Sequence, residues 1–158
     1  MLTSYQLRSI TPSDHVLVRE IYAEAIESHA EPCYTSQQKD AWVALAWLPG
    51  VLDEPLNKGR GWLSFESNES AAFAVRFPPD RLALLYCRGR FSRRGHATFL
   101  LNHLELGARI DGQVSMVTEA SYFGHSFLLS RGWIVQNVEI ITIGGVYFQR
   151  YRMQKFLH

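Results

Sequence analysis

The sequence has little cysteine, no long apolar run and almost no net charge, and each shortage argues against a class of protein. Its two cysteines, Cys33 and Cys87, are too few for a disulfide framework and do not have the spacing of metal ligands. No segment approaches the ~18 consecutive apolar residues of a membrane span. The beginning of the chain lacks the apolar core of a signal peptide. These shortages predict a cytoplasmic protein with no metal and no membrane partner.

The formal net charge is only +1, so the chain lacks the overall basic field that nucleic-acid binders carry. We therefore expect no nucleic-acid partner. The chain has 158 residues, of which 47% are hydrophobic and 20% are charged, and this composition is typical of a globular protein. The length suits one hydrophobic core, and we expect a single domain over 1–158.

Capping patterns and apolar spacing predict two helices in the first third of the chain. Thr11 with Asp14, and Thr35 with Gln38, form the Ser/Thr-x-x-acid/amide pattern that starts a helix. The second of these helices is predicted to end at Pro49-Gly50, and 50–60 is predicted to be a loop.

The rest of the chain alternates strand-like and helix-like runs. Three strand-like runs precede the arginine-rich segment, and a Gly144-Gly145 turn sits inside a long terminal hairpin. The predicted order is β-α-α-β-β-β-α-β-α-β-β, with one strand–helix–strand unit over 81–118 in a mainly antiparallel sheet. The predicted class is therefore α+β, or mixed α/β.

The stretch YCRGRFSRRGHATFLLNHLE, residues 86–105, packs four arginines into seven positions and then becomes an amphipathic helix. A strand, a tight basic loop and a helix start in that order form a physical setting for binding phosphate. The backbone amides of Arg93 to Thr98 can converge on a diphosphate, and Gly95 and Ala97 are small enough to let phosphate oxygens approach.

Three partners for this loop stay open on composition alone: a nucleotide diphosphate, a nucleic-acid backbone or only water. The Gly-Lys-Ser/Thr ending of a phosphate-binding P-loop is missing. A dinucleotide fingerprint also fails, because Gly95 alone stands where three glycines are needed.

Three motifs together resemble the GNAT superfamily of acyl-CoA-dependent N-acetyltransferases. They are LYC (85–87), SRRGHA (92–97) and SYFGHSFLLSRGW (121–133). The order of elements from Tyr5 to the end of the chain is similar as well. The resemblance implies a central, mostly antiparallel twisted sheet of about seven strands flanked by about four helices.

The same resemblance implies acetyl-CoA as co-substrate and direct acetyl transfer to a primary amine of a small molecule or peptide. The backbone N–H near Cys87 is the implied donor to the developing oxyanion. The residues implied to contact acetyl-CoA are Leu85, Tyr86, Cys87, Ser92, Arg93, Arg94, Gly95, His96, Ala97, Thr98, Ser121 and Phe127.

The chain departs from the family pattern at several positions. Ser92 replaces a usual Gln or Arg, and Ser121 replaces a frequent Asn. Leu128 stands where many members have a tyrosine that protonates the departing thiolate. The alternative to an enzyme is therefore a GNAT-fold acyl-CoA-binding sensor or interaction module with weak or no catalysis.

The general base has two candidates: Glu119 at a strand end, or the His29–Glu31 pair after the first helix. Tyr86 is a candidate for the missing acid. In GNAT members the loop between the first two helices lines the acceptor site, so the resemblance implies that His29, Glu31 and Tyr34 bind the amine.

Four further side chains are open to two interpretations. Cys87 is a small hydrophobe or a nucleophile, and the former is favoured because no base is nearby in the sequence. His96 assists phosphate or faces water. Trp42 and Trp47 do not share one narrow helix face, so one belongs to the core and the other can line the acceptor pocket. The terminal hairpin offers an edge for a possible homodimer.

Overall fold

The computed structural model describes residues 5–158, which form seven strands and five α-helices in two antiparallel sheets. This confirms the α+β class. The strands are β1 (Tyr5–Ser9), β2 (Arg60–Glu66), β3 (Glu69–Arg76), β4 (Leu82–Cys87), β5 (Ser115–Ala120), β6 (Ile134–Ile143) and β7 (Val146–Phe156). The helices are α1 (His15–His29), α2 (Ser36–Ala44), α3 (Asp53–Lys58), α4 (His96–Ile110) and α5 (Tyr122–Leu129).

The seven strands divide into a sheet of order β1-β2-β3-β4 and a sheet of order β5-β7-β6. Among residues 5–158, the two sheets meet in one parallel bridge, between Arg81 and Val117. The predicted strand–helix–strand unit over 81–118 forms, and the bridge between the starts of its two strands is parallel. The central sheet is split at β4 and β5, and this split makes room for the site.

Two hydrophobic clusters cover opposite faces of the first sheet. Phe73 and Val75 of β3 pack with α1, whereas Ala72 and Ala74 of the same strand pack with α4. Because successive strand residues point to opposite faces and both faces are covered, β3 is apolar at every position from Ala71 to Val75. This accounts for the continuous apolar run in its sequence.

Helix α4 packs its apolar stripe, including Leu100, Leu101 and Leu104, into one of these clusters. Glu105 is buried beside that stripe, and its carboxylate accepts hydrogen bonds from Lys155 Nζ at 2.7 Å and Trp133 Nε1 at 3.2 Å. Because its charge is paired, Glu105 fits a stripe that is otherwise apolar.

Both predicted capping boxes form. The Thr11 N–H donates to Asp14 Oδ2 at 2.8 Å, and the Thr35 N–H donates to Gln38 Oε1 at 2.9 Å. A 3₁₀ turn over Pro12–Asp14 leads directly into α1.

Two boundaries in the first third differ from the prediction. Helix α2 ends at Ala44, because the following amides of Leu45, Ala46 and Trp47 bond three residues back and tighten the chain into turns. The predicted loop over 50–60 is wrong, because α3 lies inside it. Asp53 is its first residue, and the Asp53 carboxylate accepts from the Gly50 N–H at 2.8 Å, which holds the preceding turn against the start of the helix. There are thus five helices where about four are expected.

Candidate active site

A cleft of about 910 Å³ opens where β4 and β5 separate. After the Arg81–Val117 bridge no ladder joins the two strands within residues 5–158. The cleft is lined by both strands, by the starts of α4 and α5, by the end of α1 and by the β6–β7 hairpin. Most of the site residues that the sequence predicts line this cleft.

One end of the cleft is closed by polar contacts between the two strands. The Thr118 hydroxyl donates to the Leu82 carbonyl at 2.6 Å, and the Val117 N–H donates to the Asp80 carbonyl at 2.9 Å. Arg81 Nε donates to Glu119 Oε2 at 2.9 Å. These contacts fix the point from which the strands diverge.

The four arginines of the basic loop do not act alike. Arg88 is buried and binds Glu24 and the Ser70 carbonyl, Arg90 pairs with Glu69, and Arg94 pairs with Glu66. Arg93 is exposed, lines the cleft, and has no carboxylate partner within residues 5–158. Most of the cluster therefore holds the loop in place, and Arg93 is the arginine available to an anion.

The backbone amides from Arg93 to Thr98 make no hydrogen bond to an acceptor within residues 5–158. The first intrahelical bond of α4 runs from the Phe99 N–H to the Gly95 carbonyl at 2.9 Å, so the earlier amides are free of it. Arg93 and Gly95 have positive φ angles of 61° and 92°. Such alternating backbone creates a concave row of N–H groups that suits an anion.

Gly95 is the N-cap of α4. A Cβ built on Gly95 would lie 2.6 Å from the Tyr5 hydroxyl oxygen. The Tyr5 hydroxyl donates to the Arg94 carbonyl, and this hydrogen bond holds the loop in position. Gly95 is required here both for its φ angle and for the space.

The prediction that the His96 ring assists phosphate or faces water is wrong. The ring is buried, with Nδ1 2.6 Å from Ser64 Oγ and Nε2 2.9 Å from Glu66 Oε1. The hydrogen bond from His96, together with that from Arg94, lowers the pKa of the Glu66 carboxyl. Only the backbone N–H of His96 remains for a ligand.

Leu85 and Cys87 turn their backbone groups toward the cleft. The Arg88 N–H donates to the carbonyl of Ala71, in the neighbouring strand β3, at 2.8 Å. Since peptide groups alternate in direction along a strand, the groups of Cys87 and Leu85 face the other way. The Cys87 carbonyl accordingly accepts from His29 Nε2 at 3.1 Å. The Cys87 N–H is therefore on the side where the resemblance places an oxyanion donor.

The thiol of Cys87 is a poor nucleophile in this setting. Burial and the nearby Glu66 raise its pKa to about 11, so the thiol stays protonated near neutral pH. Within residues 5–158 no base contacts the sulfur, and the thiol donates to the Arg88 carbonyl at 3.5 Å.

The catalytic candidates Glu119 and Tyr86 both line the cleft. Glu119 uses Oε2 for Arg81, and Oε1 has no partner within residues 5–158. Tyr86 packs at 4.6 Å from the ring of Tyr22, and burial raises its pKa to about 12. A tyrosine that holds its proton so strongly is a weak acid toward a thiolate.

The predicted acceptor residues separate. His29 and Tyr34 line the cleft, whereas Glu31 is exposed and is not part of its lining. His29 stacks on Phe123 with ring centroids 4.8 Å apart. The Tyr34 hydroxyl accepts from the Tyr122 N–H at 2.9 Å, and burial raises its pKa. The His29–Glu31 pair predicted as a base is therefore not assembled in the cleft.

Ser121 and Phe127 reach the cleft from α5, while Arg94 does not line it. Ser121 is the N-cap of α5, and its Oγ accepts from the Gly124 N–H at 3.0 Å. Leu128, at the position of the frequent family tyrosine, is buried in the core with 4% of its surface exposed.

Sequence reasoning missed Arg131, Phe123 and Phe148, which also line the cleft. The guanidinium of Arg131 lies 5.5 Å from the Phe127 ring. Arg131 could have been found from the sequence, because it lies inside the third motif. Phe148 lies on β7, outside all three motifs, and no sequence pattern links it to the cleft. Trp42 rather than the exposed Trp47 lines the cleft, which answers the question left open above.

No protein-family model matches the sequence, and no curated protein matches it. Solved structures do. A GCN5-related N-acetyltransferase from Rhodopseudomonas palustris superposes with a TM-score of 0.93 at 24% identity, over 99% of each chain. The PaiA N-acetyltransferase from Thermoplasma acidophilum, solved with coenzyme A, gives 0.73 at 16% identity over 97% of this chain and 99% of that one.

YncA from Salmonella typhimurium, an acetyltransferase solved with acetyl-CoA, gives a TM-score of 0.65 at 18% identity, over 99% of this chain and 95% of that one. The chain therefore has the GNAT fold, which confirms the fold implied by its motifs. Within residues 5–158, no helix combines the length and apolar character needed to cross a membrane.

Proposed function

We propose that this chain is an N-acetyltransferase that transfers the acetyl group of acetyl-CoA directly to a primary amine. The observation that carries the proposal is the row of amides from Arg93 to Thr98, unbonded within residues 5–158, at the edge of a cleft between separated strands. That row suits the linked phosphates of coenzyme A. Two structures of similar fold were solved with coenzyme A or acetyl-CoA, which supports the same reading.

The remaining lining suits the other parts of acetyl-CoA. Arg93 and Arg131 supply positive charge for phosphate groups. The backbone groups of Leu85 and Cys87 can pair with the amides of an extended pantetheine arm, as a neighbouring strand would. Ser92 and Ser121 add hydroxyl groups, and Phe127 adds an apolar surface.

The chemistry requires a neutral amine and a stabilised oxyanion. The amine nitrogen forms a bond to the thioester carbon, the Cys87 N–H donates to the carbonyl oxygen, and the carbon–sulfur bond then breaks. Glu119, through its unoccupied oxygen, takes the proton that the amine loses. The thiolate of coenzyme A, with a thiol pKa of about 8.5, can leave without a protein acid and take its proton from water.

The buried Leu128 favours a second candidate, an acyl-CoA-binding module that does not turn over. Purified protein should therefore be given acetyl-CoA with a panel of amines while free thiol is measured, alongside a thermal melt with acetyl-CoA. Amine-dependent thiol release is the expected result. A raised melting temperature without thiol release would indicate the binding module. If acetyl-CoA causes neither thiol release nor a higher melting temperature, both candidates are overturned.

A further inference from the structure

Five aromatic side chains form one wall of the cleft, called here the aromatic wall. It consists of Tyr22, Tyr34, Trp42, Tyr86 and Phe148. The ring of Tyr34 lies 5.3 Å from that of Trp42 and 6.1 Å from that of Phe148, and Trp42 lies 6.3 Å from Phe148. Such tilted and edge-on pairs hold one another in fixed orientations.

The aromatic wall lies on elements other than those that present the phosphate-binding amides. Tyr22 and Tyr34 come from α1 and the segment after it, Trp42 comes from α2, and Phe148 comes from β7. The Tyr34 hydroxyl is tied to the start of α5 by the Tyr122 N–H. The apolar lining is completed by Ile26 of α1, by Leu45 just after α2, and by Ile141 and Ile143 of β6. This part of the cleft is left for the amine once acetyl-CoA occupies the rest.

The charges that line the cleft do not suit a substrate with several positive charges. The charged lining residues within 5–158 are Arg81, Arg93, Glu119, Arg131 and Arg150. The single acid, Glu119, already binds Arg81, and the guanidinium of Arg150 pairs with Glu139. A second ammonium group would therefore enter an apolar, arginine-rich space without a carboxylate to pair with it.

A substrate with one amine avoids that cost. Aromatic faces attract a single ammonium group, and the surrounding rings bury an apolar body. The same apolar environment favours the neutral form of the amine, which is the form that attacks the thioester. The lining thus assists both recognition and deprotonation.

From this lining we infer that the acceptor is a monoamine attached to an aromatic or branched apolar body, and not a polyamine, aminoglycoside or lysine-rich peptide. The inference rests on the proposed function and narrows it. It also assigns the aromatic wall, with Trp42 at its centre, as the surface that determines acceptor specificity.

The test compares kcat/KM for phenethylamine and tryptamine with kcat/KM for spermidine and a lysine peptide. We expect the aromatic monoamines to be preferred by about 100-fold. Trp42→Ala should raise KM for phenethylamine about tenfold and leave the acetyl-CoA Kd unchanged, whereas Trp42→Phe should retain most of the affinity. Trp47→Ala is the matched control, because Trp47 follows α2, is 56% exposed and does not line the cleft.

A binding measurement gives a second readout that does not need turnover. Phenethylamine should change the tryptophan fluorescence of the coenzyme A complex, and Trp42→Phe should abolish that change. Preference for spermidine or the lysine peptide, or no response to phenethylamine, would overturn the proposed acceptor class. Neither result would contradict the proposed acetyl transfer from acetyl-CoA. Failure of acetyl-CoA to bind in calorimetry would instead remove the proposed function and this inference together.

Discussion

At the scale of single residues, Gly95 decides the geometry of the proposed phosphate site. Its φ of 92° is one that side chains with a Cβ rarely adopt, and an added Cβ would meet the Tyr5 hydroxyl at 2.6 Å. The residue therefore sets both the direction of the loop and the distance between the loop and Tyr5.

Replacing Gly95 with alanine should weaken acetyl-CoA binding by about tenfold or more, because the loop must shift to relieve the contact. Calorimetry measures the Kd. Gly112→Ala is the control: Gly112 also has a positive φ, of 86°, but an added Cβ there would have no neighbour within 4 Å among the described residues. It should cost about 1 kcal/mol of stability and leave the Kd unaltered. Equal Kd values in the two variants would dismiss the role given to Gly95.

Glu119 can be separated from its ion pair with Arg81 by a matched pair of variants. Glu119→Gln and Arg81→Gln both remove the ion pair, whose atoms lie 2.9 Å apart, but only the first removes the carboxylate. If Glu119 is the base, Glu119→Gln should lower kcat about 100-fold at neutral pH. Arg81→Gln should retain most of the kcat. The same loss in both variants would reduce Glu119 to a structural role.

The sequence identified the basic loop but not the use of each arginine. Arg88, Arg90 and Arg94 find their carboxylate partners 64, 21 and 28 positions away, so local sequence carries no sign of these pairs. The buried position of the His96 ring was not predicted for the same reason, because its partner Ser64 lies 32 positions earlier in the chain.

At the scale of elements, the start of α1 depends on Asp14, which caps the 3₁₀ turn and pairs with Arg8. Hydrogen bonds from Arg8, and then from Thr11, lower the pKa of Asp14 to about 2 against the opposing effect of burial. Because the folded-state pKa is below the ordinary value, the stabilisation is complete above about pH 4 and is lost as the pH falls toward 2.

Asp14→Asn should therefore destabilise the protein by about 1 kcal/mol at pH 7. The difference from the wild type should shrink as unfolding is repeated at lower pH. Chemical denaturation measures both effects. Asp40→Asn on α2, an exposed position, serves as the control and should change little at any pH. A difference for Asp14→Asn that stayed constant down to pH 2 would contradict the assignment.

Elements with a strong local signal were predictable, and short ones were not. The Gly144-Gly145 turn, with φ angles of 57° and 78°, suits the tight hairpin that its sequence predicts. Helix α3 covers only Asp53–Lys58, fewer than two turns, so no apolar period can emerge from it. The Pro49-Gly50 signal predicts an end of α2 that is several residues too late, because the chain already forms turns after Ala44.

At the scale of the whole molecule, the sequence predicts the order of elements along the chain, apart from α3, but not the separation of β4 from β5. The separation of β4 from β5 depends on contacts at their bases, such as Thr118 with the Leu82 carbonyl, that link positions 36 residues apart. The aromatic wall is likewise assembled from α1, α2, β4 and β7. The motifs predict the phosphate half of the cleft, whereas only the fold brings the acceptor half together.

The homodimer stays a prediction, and substitutions on the edge strand β6 test it most directly. This strand is at the edge of its sheet, and Val138 and Ile140 are exposed on it. Light scattering should give twice the chain mass, and Ile140→Lys should give one chain mass. Ile110→Lys, at an exposed position on α4, should leave the mass unchanged. A monomeric wild type at all concentrations would end this prediction.

The central claim is that the amides from Arg93 to Thr98 hold the phosphates of coenzyme A. The most direct measurement is a titration of ¹⁵N-labelled protein with coenzyme A, followed through each backbone amide resonance. The account predicts that the resonances of 93–98 move most, with the Gly112 amide, at the other end of α4, unchanged. Resonances of 93–98 that stay in place at saturating coenzyme A would contradict the account.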